Sequence, residues 1–227
     1  MVPYYHELIG SGYRMDHLPL VLAQNMGAEG FQLHGGVTAP VSGRFQPHLE
    51  YSFKHNQMHN MLLGCTIQLC DHDPGDGGFC VVKGSHKANF PMSEAMVHGF
   101  ESCEHIYQPV TKAGDVVLFS EAATHGSLPW TRKDKQRRVA LFRFSPANVA
   151  YGRNYMAEGG AGWPAAMYEG MTAEQAAVLQ APFAGRLDRV ELAQDAETGE
   201  VTPKTFARAA VKKEFDQAVL GAKTIGL

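Results

Sequence analysis

The sequence predicts an all-β core, a sandwich or barrel of short strands, with helices added near the C-terminus. Short apolar runs recur through the first two thirds of the chain, Gly and Pro punctuate them, and the last sixty or so residues change to a helical pattern. The strand candidates are 19–23 (PLVLA), 61–70 (MLLGCTIQLC), 79–83 (FCVVK), 115–120 (DVVLFS) and 138–145 (RVALFRFS). Val, Ile and Phe suit a pleated, half-buried surface, and short strands between turn signals favour a sandwich or barrel. The strongest turn signals are 73–78 (DPGDGG) and Ala113-Gly114-Asp115.

Two helices are expected afterwards. In 172–180 (TAEQAAVLQ), Thr172 is placed as an N-cap and Gln175 stands three residues later, as a capping box requires. Residues 203–220 (PKTFARAAVKKEFDQAVL) read as an amphipathic helix. The expected organisation is a single domain over 1–227, with a β core over about 13–150 and a helical extension over about 165–222. The extension reads as packing or oligomer surface rather than chemistry.

Composition narrows the function classes. With 20 Lys+Arg against 23 Asp+Glu, the net charge of -3 excludes a general polyanion binder, because nucleic-acid affinity rests on clustered cations. At 44% hydrophobic and 19% charged, the chain can bury a core. No apolar run approaches the ~20 residues that span a bilayer. The start, 1–10 (MVPYYHELIG), shows neither the basic nor the apolar region of a secretory leader. A cytoplasmic protein acting on a small molecule is expected, with neither nucleic acid nor membrane as partner; oligomeric state stays open. The 4 cysteines form no CxxC pair, so a disulfide framework is not expected. Cys65 and Cys70 read as buried thiols.

Among 11 histidines, two stand out. His34 closes a β-like run, 30–34 (GFQLH), and is followed by Gly35 and Gly36. His125 lies in 123–127 (ATHGS), just after a strand candidate. Two imidazoles from separate strands at a barrel mouth suit a borderline metal such as Fe(II), although a single His is more often structural. Arg137 and Arg138 open a later strand. An Arg pointing into a barrel holds a carboxylate bidentately. A solvated basic turn fits Arg132, Lys133 and Lys135 well, and fits Arg138 less well because residues 139–144 continue as strand.

At this point the sequence resembles a known family. Residues 83–91 (KGSHKANFP) look like the PGSHK turn of the phytanoyl-CoA dioxygenase family, and 71–79 (DHDPGDGGF) is similar to its acidic, Gly-rich hairpin. Residues 114–130 (GDVVLFSEAATHGSLPW), then Arg137-Arg138, resemble the stretch carrying that family's distal His and 2-oxoglutarate Arg. Residues 171–182 (MTAEQAAVLQAP) resemble a C-terminal segment of bacterial members. The ordered set runs from about Tyr13 to Pro182.

The resemblance implies a double-stranded β-helix, a cupin-like jelly roll. It implies Fe(II) bound by His34 and His125, with 2-oxoglutarate as co-substrate. Arg138 is the first choice for clamping the far carboxylate of 2-oxoglutarate, and Arg137 is the fallback. Ser127 matches a hydroxyl that helps hold the same carboxylate, and Gln68 is a weaker neighbour of the metal. His86 and Lys87 are expected to form a turn, and Asp71 and Asp76 to belong to the hairpin. Family members carry a helix before the barrel, and this chain is expected to start almost inside it.

One departure matters. The family pattern is His-x-Asp, and this chain reads His34-Gly35-Gly36, so the carboxylate is missing from its place. Three readings follow: a hydroxylase whose site is completed by water or another carboxylate (Glu50, Asp71 or Asp16), a halogenase with chloride at the open position beside Gly36, and a non-catalytic cupin-like binding protein. The retained His34, His125, Ser127 and Arg138 favour the enzyme, with hydroxylation ahead. Tyr51, Phe53, His55 and His59 lie where a lid is expected. Tyr151, Arg153, Asn154 and Tyr155 are placed on the opposite wall, a mix suited to an anionic or amphipathic small molecule.

Overall fold

The computed structural model describes residues 1–99, 104–152, 163–182, 190–205, 214 and 217–219. Cys103, Arg153, Asn154 and Tyr155 lie outside the described residues.

Two four-stranded antiparallel sheets form a jelly roll. The first runs β1 (Arg14–Gln24), β10 (Arg137–Ser145), β5 (Leu63–Gln68), β8 (Val116–Ser120) in spatial order. The second runs β2 (Phe31–His34), β9 (His125–Leu128), β6 (Gly78–Val82), β7 (Ile106–Tyr107). Every strand expected from the sequence forms. β1 is an edge strand, which is why it tolerates Pro19 and two register shifts. Between β2 and β5, β3 (Tyr51–Lys54) and β4 (Gln57–Asn60) make a separate hairpin. Its tip, His55-Asn56, has φ of 53 and 59, the conformation a tight two-residue hairpin needs. The expected lid is therefore an ordered hairpin.

The hydrophobic core lies largely outside the barrel. Val2, Tyr5 and Ile9 from α1 (Val2–Ile9) pack with Tyr13, Leu63, Cys65, Ala177 of α3 (Ala173–Ala177) and Leu192 of β11 (Val190–Gln194). This cluster covers the outer face of the first sheet and leaves its inner face for polar groups. Burying these side chains contributes roughly 1.5–3 kcal/mol each. The start of the chain is thus helical and packed on the barrel, where the sequence offered no helix. The capping box at Thr172 forms as expected: Gln175 N–H donates to the Thr172 hydroxyl and Gln175 returns the contact.

The C-terminal extension departs from expectation. β11 pairs with β12 (Val201–Thr205) as an antiparallel hairpin, so residues 203–205 are strand rather than helix. Asp195 drives the turn by accepting from the N–H groups of Glu197 and Thr198, and Gly199 closes it at φ 73. Most of the expected second helix lies outside the described residues. Cys65 and Cys80 are buried free thiols, and Cys70 is half-buried. No helix among the described residues is long and apolar enough to cross a membrane.

Candidate active site

His34 and His125 meet. They are direct register partners of β2 and β9, and their ring centroids are 4.3 Å apart. Each ring is oriented through Nδ1: that of His34 donates to the Gln32 carbonyl at 3.0 Å, and that of His125 to the Ala123 carbonyl at 2.8 Å. A carbonyl only accepts, so Nδ1 carries a proton on both rings, and in the neutral ring Nε2 is the atom free to accept or ligate. Burial pushes His125 down to about 4, against the opposing pull of Glu121, which keeps the ring neutral near pH 7. Phe119 of β8 packs on the His125 ring at 4.8 Å and on Phe79 of β6 at 4.6 Å, closing the barrel beneath it.

The PGSHK-like turn supports His125 from below. Gly84 has φ 77, and the Ser85 hydroxyl donates to the Val82 carbonyl while accepting from Thr124 N–H, both at 2.7 Å. The turn role expected for this motif is met, and it fixes the residue just before His125. Asp71 and Asp76 stay in their loops: Asp71 accepts from Ala113 N–H and Lys112, and Asp76 pairs with Arg132 and Lys135.

The guanidinium that faces inward is that of Arg137, whereas Arg138, the first choice from the sequence, faces solvent. Alternation along β10 buries 137, 139 and 141, and turns Arg138 out to solvent, where it donates to Gln136. Arg137 is 3% exposed, donates to Gln24 and reaches the Ser127 hydroxyl at 3.4 Å. Its Nε is buried and has no hydrogen-bond partner among the described residues. Burial lowers its pKa, the response of a charge that lacks a nearby anion. A buried guanidinium with no carboxylate partner among the described residues, set beside a hydroxyl, is the arrangement a ligand carboxylate would satisfy. Gln68 is buried and donates to Thr66 at 2.9 Å, so it is near the cavity but occupied.

The candidate carboxylates fare differently. Asp16 is fully buried and accepts from Arg14, His17, Ser145 and the N–H groups of Tyr151 and Gly152, so no lone pair is left for a metal. Burial opposes its ionisation, but the bonds from His17, Tyr151 and Gly152 hold it well below the usual carboxylate range. Asp71 is on a distant surface turn, and Glu50 lines an outer groove. That groove, about 570 Å³, runs between the hairpin and the PGSHK-like turn and includes Val37, Tyr51, Phe53, His86 and Lys87.

Sequence reasoning missed Glu121. It lies on the turn between β8 and β9, is 5% exposed, and sets its Oε2 3.4 Å from His125 Nε2. Arg143 of β10 donates to its Oε1 at 2.7 Å. Arg143 also donates to His17 Nε2 at 3.2 Å, and His17 in turn donates to Asp16 at 2.8 Å. Among the described residues no three His, Cys, Asp or Glu side chains already stand at metal-binding spacing. The donor chemistry nevertheless fits a borderline divalent metal: two imidazole lone pairs and a carboxylate oxygen at one barrel mouth.

A family model described as phytanoyl-CoA dioxygenase (PhyH) matches residues 19–139, just over half of the 227 residues. The chain belongs to the phytanoyl-CoA dioxygenase family. This is a family of 2-oxoglutarate-dependent iron oxygenases, and the barrel has the fold of its solved relatives. HygX from Streptomyces hygroscopicus with nickel and 2-oxoglutarate bound is 21% identical, with a TM-score of 0.58 over 72% of this chain and 69% of that one. The same protein with nickel, 2-oxoglutarate and hygromycin B bound gives the same values. Its iron-bound form is 22% identical, with a TM-score of 0.57 over 71% of each chain. No curated protein sequence matches.

Proposed function

We propose that this member of the phytanoyl-CoA dioxygenase family is an Fe(II)- and 2-oxoglutarate-dependent oxygenase that hydroxylates a small organic molecule. The observation that carries the reading is the pairing of His34 and His125 at one barrel mouth with a buried Arg137 guanidinium that reaches Ser127. The solved neighbour HygX, which holds iron in one structure and nickel with 2-oxoglutarate in another, supports the same cofactor pair. When bound, iron and 2-oxoglutarate supply the oxidative decarboxylation that drives hydroxylation.

The chain's own residues do the rest. His34 and His125 present Nε2 in one tautomer because two backbone carbonyls hold their Nδ1 protons. Arg137 and Ser127 bind the far carboxylate of the co-substrate by charge-assisted hydrogen bonds and so fix its orientation. Phe119 packs against the His125 ring and limits its freedom to turn. The groove beside Val37, with Tyr51, Phe53 and Lys87 on its sides, is the candidate entry for an amphipathic or anionic substrate.

The chloride alternative gains no support from the loop. A side chain starting at Gly36 would head toward the Thr124 hydroxyl oxygen at 3.1 Å and the Thr38 carbonyl at 3.2 Å. The test is succinate release from 2-oxoglutarate on addition of Fe(II) and oxygen, with His125→Ala as the inactive control. Release that depends on His125 supports the reading, and equal release by the variant refutes it.

A further inference from the structure

We infer that Glu121 is the third protein ligand of the metal site, standing in for the carboxylate that the His-Gly-Gly sequence has lost. The inference rests on the iron reading above and names how that site is completed. Three observations lead to it, each independent of the family pattern.

The first is spacing. Two donors at about 2.1 Å from a shared ion stand about 3.0–3.4 Å apart when the angle between them is about 90–109°. Glu121 Oε2 and His125 Nε2 are 3.4 Å apart. His125 Nδ1 is turned to the Ala123 carbonyl, so Nε2 is the ring atom that faces Glu121. A cation placed between them would be held by both.

The second is orientation. Glu121 is buried, and a buried carboxylate must be partnered. Arg143 partners Oε1 and leaves Oε2 turned to His125. Arg143 is itself held by His17, and His17 by Asp16 with its backbone donors. The string Asp16–His17–Arg143 is a set of positioning residues for one oxygen of Glu121.

The third is the glycine pair. Gly35 and Gly36 have φ of 80 and 87, and Gly36 N–H donates to the Glu121 carbonyl at 3.0 Å. A Cβ on Gly35 would lie 2.9 Å from that same carbonyl and 3.0 Å from the His125 ring. The glycine pair therefore lets the chain after His34 pack against the Glu121 turn. Left-handed backbone admits Gly readily and other residues at a cost. The strand carrying His34 is thereby docked directly onto the turn that supplies the replacement carboxylate.

The test is anaerobic Co(II) titration of the full chain, followed by calorimetry and by the visible d–d bands, with thermal melting of each apo protein alongside. Glu121→Gln keeps an oxygen for Arg143 but removes the charge and the strong metal donor. The expected result is Co(II) affinity more than about 100-fold weaker, with altered bands and an apo melting temperature near that of the wild type. That exceeds the 10–100-fold typical of partners that only orient a ligand. Crystals soaked in Co(II) give a second readout that needs no variant, should Glu121→Gln fail to fold. Anomalous density about 2.0–2.2 Å from a Glu121 oxygen and both imidazoles is expected. Wild-type affinity in Glu121→Gln, or a cation held by His34 and His125 without Glu121, overturns the inference and leaves the oxygenase reading in place. A wild-type chain that takes up neither Co(II) nor Fe(II) overturns both.

Discussion

The Arg137 guanidinium reaches the Ser127 hydroxyl at 3.4 Å across the two sheets of the barrel, while Arg138, the next residue, turns to solvent. Arg137→Gln is expected to weaken 2-oxoglutarate binding about 100-fold, corresponding to the loss of about 3 kcal/mol of charge-assisted hydrogen bonding. Arg138→Gln is expected to change it less than about twofold. Calorimetric titration of 2-oxoglutarate into each variant with Ni(II) present checks both. The reverse ranking would return the clamp to Arg138.

Ser85 predicts a link between a surface turn and the metal site. Ser85→Ala removes two 2.7 Å hydrogen bonds at once and leaves Thr124 N–H buried and unpaired. A cost of about 1–3 kcal/mol follows, or roughly 2–10 °C in melting temperature for a chain of this size. Metal affinity is expected to fall as well, because the freed residue directly precedes His125. An unchanged melt would show that the turn does not hold β9.

Gly36→Asp restores the family's His-x-Asp pattern in sequence but not in shape. At φ 87 an Asp is strained, and its Cβ would crowd Thr124 and the Thr38 carbonyl. The variant is expected to melt several degrees lower and to bind Fe(II) no more tightly than the wild type. Tighter binding with an unchanged melt would mean that the loop readily adopts the family's usual conformation.

Acid sensitivity has a traceable source. Burial, helped by the Arg137 charge, lowers the pKa of His72, so this ring resists protonation in the fold. Below about pH 6.5 the unfolded chain binds a proton at this position that the folded chain refuses. Stability therefore falls as pH drops through that range and is flat above it. His72→Gln is expected to make the fall of melting temperature between pH 7.5 and pH 5 shallower. An identical slope in the variant would assign the loss elsewhere.

What the sequence revealed follows from which patterns are local. The strands of the first sheet, and β2 and β6 of the second, were legible because apolar runs sit between turn signals, whereas the short β7 and β9 were not, and the Thr172–Gln175 cap was legible because it spans three residues. The choice between Arg137 and Arg138 was not legible. β10 is covered on both faces, by the cavity at Val139 and Leu141 and by α1 at Phe142 and Phe144, so both parities are apolar and alternation gives no direction. Glu121 was hidden for a different reason. Its role depends on a turn folding back to His125 and on Arg143, 22 residues later, taking the other oxygen. The β11–β12 hairpin was masked by helix-favouring Ala and Lys downstream, although the Asp195–Gly199 turn between two short extended runs signals it.

On the proposed reading His34, His125 and Arg137 form one site for a divalent metal and 2-oxoglutarate. Anaerobic addition of Fe(II) and 2-oxoglutarate, followed by the visible charge-transfer band, tests it most directly. The expected band needs both additions, disappears in His125→Ala and requires far more 2-oxoglutarate in Arg137→Gln. Absence of the band from the wild type at saturating Fe(II) and 2-oxoglutarate would contradict it.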